Sequence, residues 1–120
     1  MDCTANYGIN NRTMNNNITF KANIVKGLQE ELVKELKPEL GPKYLSRLNR
    51  RLERIPEDVT IQDVFNKDGA SYVRLNKNCD SKVVQVDSEP GNKLDIVEGL
   101  LHKDRHGTTR LSEYAFRLFG

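Results

Sequence analysis

Residues 71–87, SYVRLNKNCDSKVVQVD, decide the fold class. Two runs rich in β-branched and aromatic residues, 71–75 and 82–87, flank the segment 76–81, which is rich in Asn, Asp and Ser. β-branched and aromatic side chains suit strands, and the residues between the runs are turn formers. This pattern is typical of a β-hairpin. Because helical patterns lie on both sides of it, the sequence predicts an α+β domain that is mainly helical.

The chain before the hairpin has helical periodicity in three places. Apolar residues recur at helical spacing over residues 19–37 and again over a second segment that begins near Pro42 and stops before Pro56. In residues 58–69, Ile61, Val64 and Phe65 form one apolar stripe, so we expect a short third helix there. This helix would end at the glycine in position 69.

Two helices are expected to close the chain after a break at residues 89–92. One spans residues 92–103, and the last covers residues 111–120, with Thr108 or Thr109 as its N-cap. The predicted order is therefore three helices, one hairpin and two C-terminal helices, in a single domain over residues 19–120. An Asn-rich stretch without periodicity, residues 1–18, predicts a polar N-terminal arm.

Composition limits the function classes. The 120 residues carry a net charge of only +2, with 37% hydrophobic and 30% charged residues, so the molecule as a whole is not a polyanion binder. No apolar run approaches the length that spans a membrane, and the first residues lack the basic and apolar regions of a secretory signal. One disulfide is possible between Cys3 and Cys79, but two cysteines do not make a disulfide framework. We therefore expect free thiols and a cytoplasmic location.

The segment from Pro42 to Pro56 has the strongest local charge. Helical projection places its basic residues within about 100° of one another, beside an apolar face. These residues are Lys43, Arg47, Arg50, Arg51 and Arg54. Basic residues on one helix face suit the phosphates of nucleic acid, whose counterions are released on binding. The same face would fit an acidic protein partner. It would equally suit a solvated surface paired with the acids of the first helix, Glu30, Glu31 and Glu35.

Three helices, the second of them basic, followed by a hairpin resemble winged-helix domains over residues 20–88. The resemblance implies that a recognition helix enters the major groove of DNA and that the hairpin contacts the backbone. Two departures are that residues 60–68 separate the basic helix from the hairpin and that no short strand lies between the leading helices. In a second register, residues 60–71, TIQDVFNKDGAS, resemble the first helix and turn of a helix-turn-helix, with departures at Phe65 and Asp68. The two registers exclude each other.

The C-terminal segment LSEYAFRLFG, residues 111–120, carries aromatic residues beyond those that one apolar stripe needs. Tyr114, Phe116 and Phe119 are candidates for docking on a protein partner or on a second copy of the chain, as in a homodimer. The alternative is that this helix covers the core of its own domain.

No catalytic motif, cofactor fingerprint or glycine-rich phosphate loop is present. His102 and His106 have the spacing of a helical metal pair, but no third ligand can be named, and a solvated helix end explains both. We therefore expect a non-enzymatic binding protein without metal or cofactor. Nucleic-acid binding through the basic helix is the leading hypothesis. The alternative is a protein-interaction module, such as an inhibitor, adaptor or assembly component of phage or bacterial-effector type.

Overall fold

The computed structural model describes residues 23–36 and 41–120. Over these residues the chain forms an α+β domain with four helices and a three-stranded antiparallel sheet. The elements are α1 Lys26–Glu35, α2 Gly41–Leu52, β1 Thr60–Lys67, β2 Ala70–Lys77, β3 Asp80–Asp87, α3 Lys93–Leu100 and α4 Arg110–Phe119. The predicted arm of residues 1–18 and both ends of the first predicted helix lie outside the described residues.

Two two-residue turns build the sheet, which has the strand order β1-β2-β3. Asp68 and Gly69 connect β1 to β2 with φ of 52° and 81°, and Asn78 and Cys79 connect β2 to β3 with φ of 53° and 66°. Positive φ at both central residues is the geometry whose twist matches the twist of paired strands. The predicted hairpin is therefore confirmed as β2 and β3, with a shorter turn than expected.

The predicted third helix at residues 58–69 is wrong, because this segment forms β1. The register shifts between Ile61 and Asp63, which leaves Gln62 as the extra residue of a β-bulge. The bulge places both Ile61 and Val64 in the core, three positions apart, where an unbroken strand would separate them onto opposite faces. A bulged strand can therefore have buried apolar residues three positions apart, as a helix does.

Because residues 60–67 form a strand, neither the winged-helix nor the helix-turn-helix resemblance has its expected helix. Only two described helices precede the sheet, so the winged-helix likeness is not confirmed. The helix-turn-helix register is wrong, because residues 60–71 form β1, its turn and the start of β2. The basic segment is confirmed as a helix, although α2 ends at Leu52, before Arg54.

The core lies between the helices and one face of the sheet. It joins buried residues from every helix to the inward residues of the strands, among them Leu32, Leu48, Ile61, Leu75 and Leu111, none more than 1% exposed. The predicted C-terminal helices are confirmed, although α3 ends at Leu100. Of the two predicted caps of α4, Thr109 is the right one, because its hydroxyl accepts a hydrogen bond from the Ser112 N–H at 3.1 Å.

Gly69→Ala should destabilise the protein by about 1–2 kcal/mol, the cost of a left-handed conformation with a Cβ atom. Gly69 has φ +81°, and no other described atom lies within 4 Å of an added Cβ, so backbone strain is the whole effect. Gly99→Ala is the matched control, because Gly99 is helical and equally uncrowded, and it should gain up to about 1 kcal/mol. Urea unfolding measures both, and a Gly69→Ala protein as stable as the wild type would contradict this turn.

Candidate nucleic-acid interface

Helix α2 presents a basic surface and has no acidic residue of its own. Leu48 and Leu52, four residues apart, are buried at 1% exposure and hold α2 on the core. Lys43, Arg47 and Arg50 are exposed. Their spacing of four and then three residues places them on one face of the helix.

The other two predicted phosphate ligands hold α2 against α3. Arg51 forms a salt bridge with Glu98, with 3.3 Å between Nη1 and Oε1. Arg54 donates a hydrogen bond from Nη1 to the carbonyl oxygen of Leu101 at 2.7 Å. Cations are favourable at the carboxyl end of a helix, where carbonyl groups lack partners. The five predicted residues therefore divide into three that are exposed and two that position the helix.

Tyr44 contacts both Glu98 of α3 and the exposed Arg47 of α2. Its hydroxyl donates a hydrogen bond to Glu98 Oε2 at 2.7 Å, and the Arg47 guanidinium lies 5.4 Å from the centre of its ring. Burial, followed by the hydrogen bond and the negative charge of Glu98, raises the pKa of Tyr44 far above its usual value. The ring contact keeps Arg47 close to the helix while its charge stays exposed.

Tyr44→Phe should lower the free energy of unfolding by about 1.5 kcal/mol at pH 8, because the Glu98 carboxylate loses a donor. Folded Tyr44 holds its proton more tightly than unfolded tyrosine, whose pKa is about 10. Its contribution is therefore complete below about pH 10 and is lost as the pH rises above that value. In urea titrations, the difference in the free energy of unfolding between wild type and variant should be smaller at about pH 11 than at about pH 8, with the loss beginning near pH 10. A constant difference would contradict the raised pKa.

Two of the three acids of α1, Glu31 and Glu35, contact α3. Glu31 forms an ion pair with Lys93 at 3.0 Å. Glu35 accepts hydrogen bonds from the backbone N–H groups of Lys93 and Leu94. These carboxylates therefore bind the N-terminus of α3, where negative charge is favourable.

The predicted interaction residues of α4 differ in their exposure. Tyr114 lies between Arg110 and Arg117, whose guanidinium carbons are 5.7 and 5.8 Å from its ring centre. Tyr114 and Phe119 are partly buried against the core, whereas Phe116 is 76% exposed. The helix thus covers its own core and exposes one large aromatic side chain.

The histidines lie in the loop after α3 and not on a helix. Between them, the Asp104 carboxylate accepts hydrogen bonds from the N–H groups of Thr108 and His106, which lower the pKa of Asp104. No group of three or more metal-ligating side chains occurs in residues 23–36 and 41–120. Within the same ranges, every helix is too short or too polar to cross a membrane.

Cys79 is disulfide-bonded, which contradicts the expectation of free thiols. Cys3 lies outside the described residues. The cytoplasmic location stays a prediction.

A cluster on the other face of the sheet is not among the residues that the sequence predicted as functional. Phe65 stacks on Tyr72, and Arg74 lies over the Phe65 ring. The signal was present, because a two-residue turn at Asp68 and Gly69 pairs the third residue before it with the third residue after it. The assignment of residues 58–69 to a helix hid this pairing.

This chain matches no protein-family model, no curated protein and no solved structure at a significant level. Its function is therefore inferred from the exposed surfaces alone.

Proposed function

We propose that this chain is a non-enzymatic nucleic-acid-binding protein whose helix α2 contacts backbone phosphates through Lys43, Arg47 and Arg50. The observation that supports this most is that the three cations are exposed together on one face of a helix that contains no Asp or Glu. Phosphate contacts by Lys and Arg supply sequence-independent affinity.

The geometry of α2 suits a charged backbone. Lys43 and Arg50 are seven positions apart, which is about 10 Å along a helix, so the cations can reach several phosphates of one strand. The helix itself is fixed by buried Leu48 and Leu52 and by the contacts of Arg51 and Arg54 with α3. A rigid surface loses less conformational entropy on binding than a mobile one.

Fluorescence anisotropy with a random DNA duplex of about 20 base pairs tests the proposal over about 50 to 200 mM salt, the range in which counterion release is measurable. If Lys43, Arg47 and Arg50 supply three phosphate contacts, the affinity should fall by about 40-fold over this range, since each contact contributes about 3.5-fold. Three contacts of this kind give a dissociation constant of about 0.3 mM at 50 mM salt, so absence of binding at about 1 mM protein, or binding independent of salt, would overturn the proposal.

A protein-interaction role is the second candidate, and the exposure of Phe116 favours it. A phenylalanine that is 76% exposed on a helix whose other face packs on the core is suited to insertion into a partner or a second copy. The salt series separates the two roles, because an apolar contact of this kind does not weaken when counterions are added.

A further inference from the structure

The outer face of the sheet, opposite the helices, carries an aromatic platform. Phe65 and Tyr72 are direct partners across β1 and β2, with ring centres 5.5 Å apart and ring planes inclined by 15°. Their chain neighbours Val64 and Val73 are fully buried in the core. Because successive side chains of a strand point to opposite faces, the two rings lie on the face that the core does not occupy.

A cation, Arg74, lies beside the platform. The guanidinium carbon of Arg74 is 5.8 Å from the centre of the Phe65 ring. The acid opposite Arg74 is Asp63, but one of its oxygens accepts the Val64 N–H and lies 4.0 Å from Lys93 Nζ. Within the described part of the chain, no salt bridge involves Arg74 or Lys67.

These side chains border an open depression of about 430 Å³, within the range of about 300–1,000 Å³ found for ligand sites. It is lined by Phe65, Lys67, Asp68, Tyr72, Arg74 and Val83. Val83, which pairs with Arg74, is 42% exposed and extends the apolar floor. Two cations and one carboxylate leave this surface positive beside the stacked ring pair.

We infer that this outer face is a second, base-stacking site for single-stranded nucleic acid. A base stacks on the Phe65–Tyr72 platform while Arg74 and Lys67 contact the adjoining phosphates. Aromatic side chains within a basic groove bind single strands in this way, because every base has a flat π face. The inference takes its ligand class from the proposed function, but it uses a different surface from α2 and different atoms of the ligand.

The test compares three labelled ligands on the full chain: an oligothymidine of about 12 nucleotides, an abasic oligomer of the same length, and a duplex. The wild type should bind the oligothymidine about 10-fold or more tightly than the abasic oligomer, since each stacked base contributes affinity beyond the phosphates. Phe65→Leu with Tyr72→Leu should abolish this preference. Phe65→Tyr should retain it, because the ring is kept. Phe116→Leu removes an exposed aromatic from α4 and should leave the preference unchanged.

Two outcomes overturn the inference. One is equal affinity of the wild type for the oligothymidine and the abasic oligomer, a comparison that depends on no variant folding. The other is a folded Phe65→Leu, Tyr72→Leu protein that retains the base preference, which would leave the ring pair as cross-strand packing or a protein contact. Failure of the α2 proposal is distinguishable, since it removes the salt-dependent affinity for the duplex and leaves the ratio between the oligothymidine and the abasic oligomer intact.

Discussion

Alanine at both Arg47 and Arg50 should lower the affinity for duplex DNA by about 200-fold at 50 mM salt. Each phosphate contact contributes about 0.9 to the slope of log affinity against log salt, which amounts to about 15-fold at 50 mM. Two lost contacts should therefore lower the slope by about 1.8. Both side chains are exposed, so the substitutions should leave the fold intact.

The matched control is Lys26→Ala with Lys34→Ala. Both lysines are exposed on α1, so the pair changes the net charge by the same amount in another helix. Anisotropy titrations at several salt concentrations should show an unchanged slope for this control. If the two double variants lose affinity equally, the effect belongs to overall charge and not to α2. Substituting lysine at positions 47 and 50 keeps the charge and should restore most of the slope.

Arg51 and Arg54 are unsuitable probes of the same surface, although the sequence places them on it. Removing Arg51 leaves the partly buried Glu98 carboxylate without its cation, so a loss of binding would follow from a displaced helix as readily as from a lost contact. Helical projection could not reveal this role. Arg51 and Glu98 are separated by 47 positions in the chain, and only the packing of α2 on α3 brings them together.

The helices and the β2–β3 hairpin, which the sequence predicted correctly, each have a pattern that is complete within one short stretch of the chain. The apolar spacing of α1, α2, α3 and α4 matches one buried stripe on each helix, and the cap of α4 is a contact within four residues. In β1 the bulge at Gln62 places Ile61 and Val64 on one face, so the local pattern indicates a helix. Whether this segment forms a helix or a strand is decided by its pairing with β2, which lies outside the segment itself.

The exposure of the predicted interaction residues of α4 also depends on contacts that are distant in the sequence. Projection of the sequence groups Tyr114, Phe116 and Phe119 by their chemistry, whereas the structure leaves only Phe116 largely exposed. Phe119 packs on the core, and Lys82 lies 5.7 Å from its ring centre, a neighbour that the sequence cannot supply. Exposure is thus the property that sequence reasoning predicts least well for this chain.

Ile61→Ala should lower the free energy of unfolding by about 3–4 kcal/mol, within the range for deletion of a buried isoleucine side chain. Ile61 is fully buried, and its backbone also bonds to the segment before α1, through the Asn23 carbonyl and the Val25 N–H. These backbone bonds survive the substitution, so the loss reports side-chain packing. On a typical stability of 5–15 kcal/mol, the change is large.

Phe65→Ala is the comparison that tests the bulge. In a helix over residues 58–69, Ile61 and Phe65 would lie on one face, and removing the larger ring would cost at least as much as removing Ile61. In β1, Phe65 faces outward onto Tyr72, and its loss should cost only about 1 kcal/mol, the value of a cross-strand pair. Urea titrations with an unchanged m-value provide both numbers. Equal costs would contradict the strand, whereas a difference of about 2 kcal/mol or more requires the two side chains to lie on opposite faces.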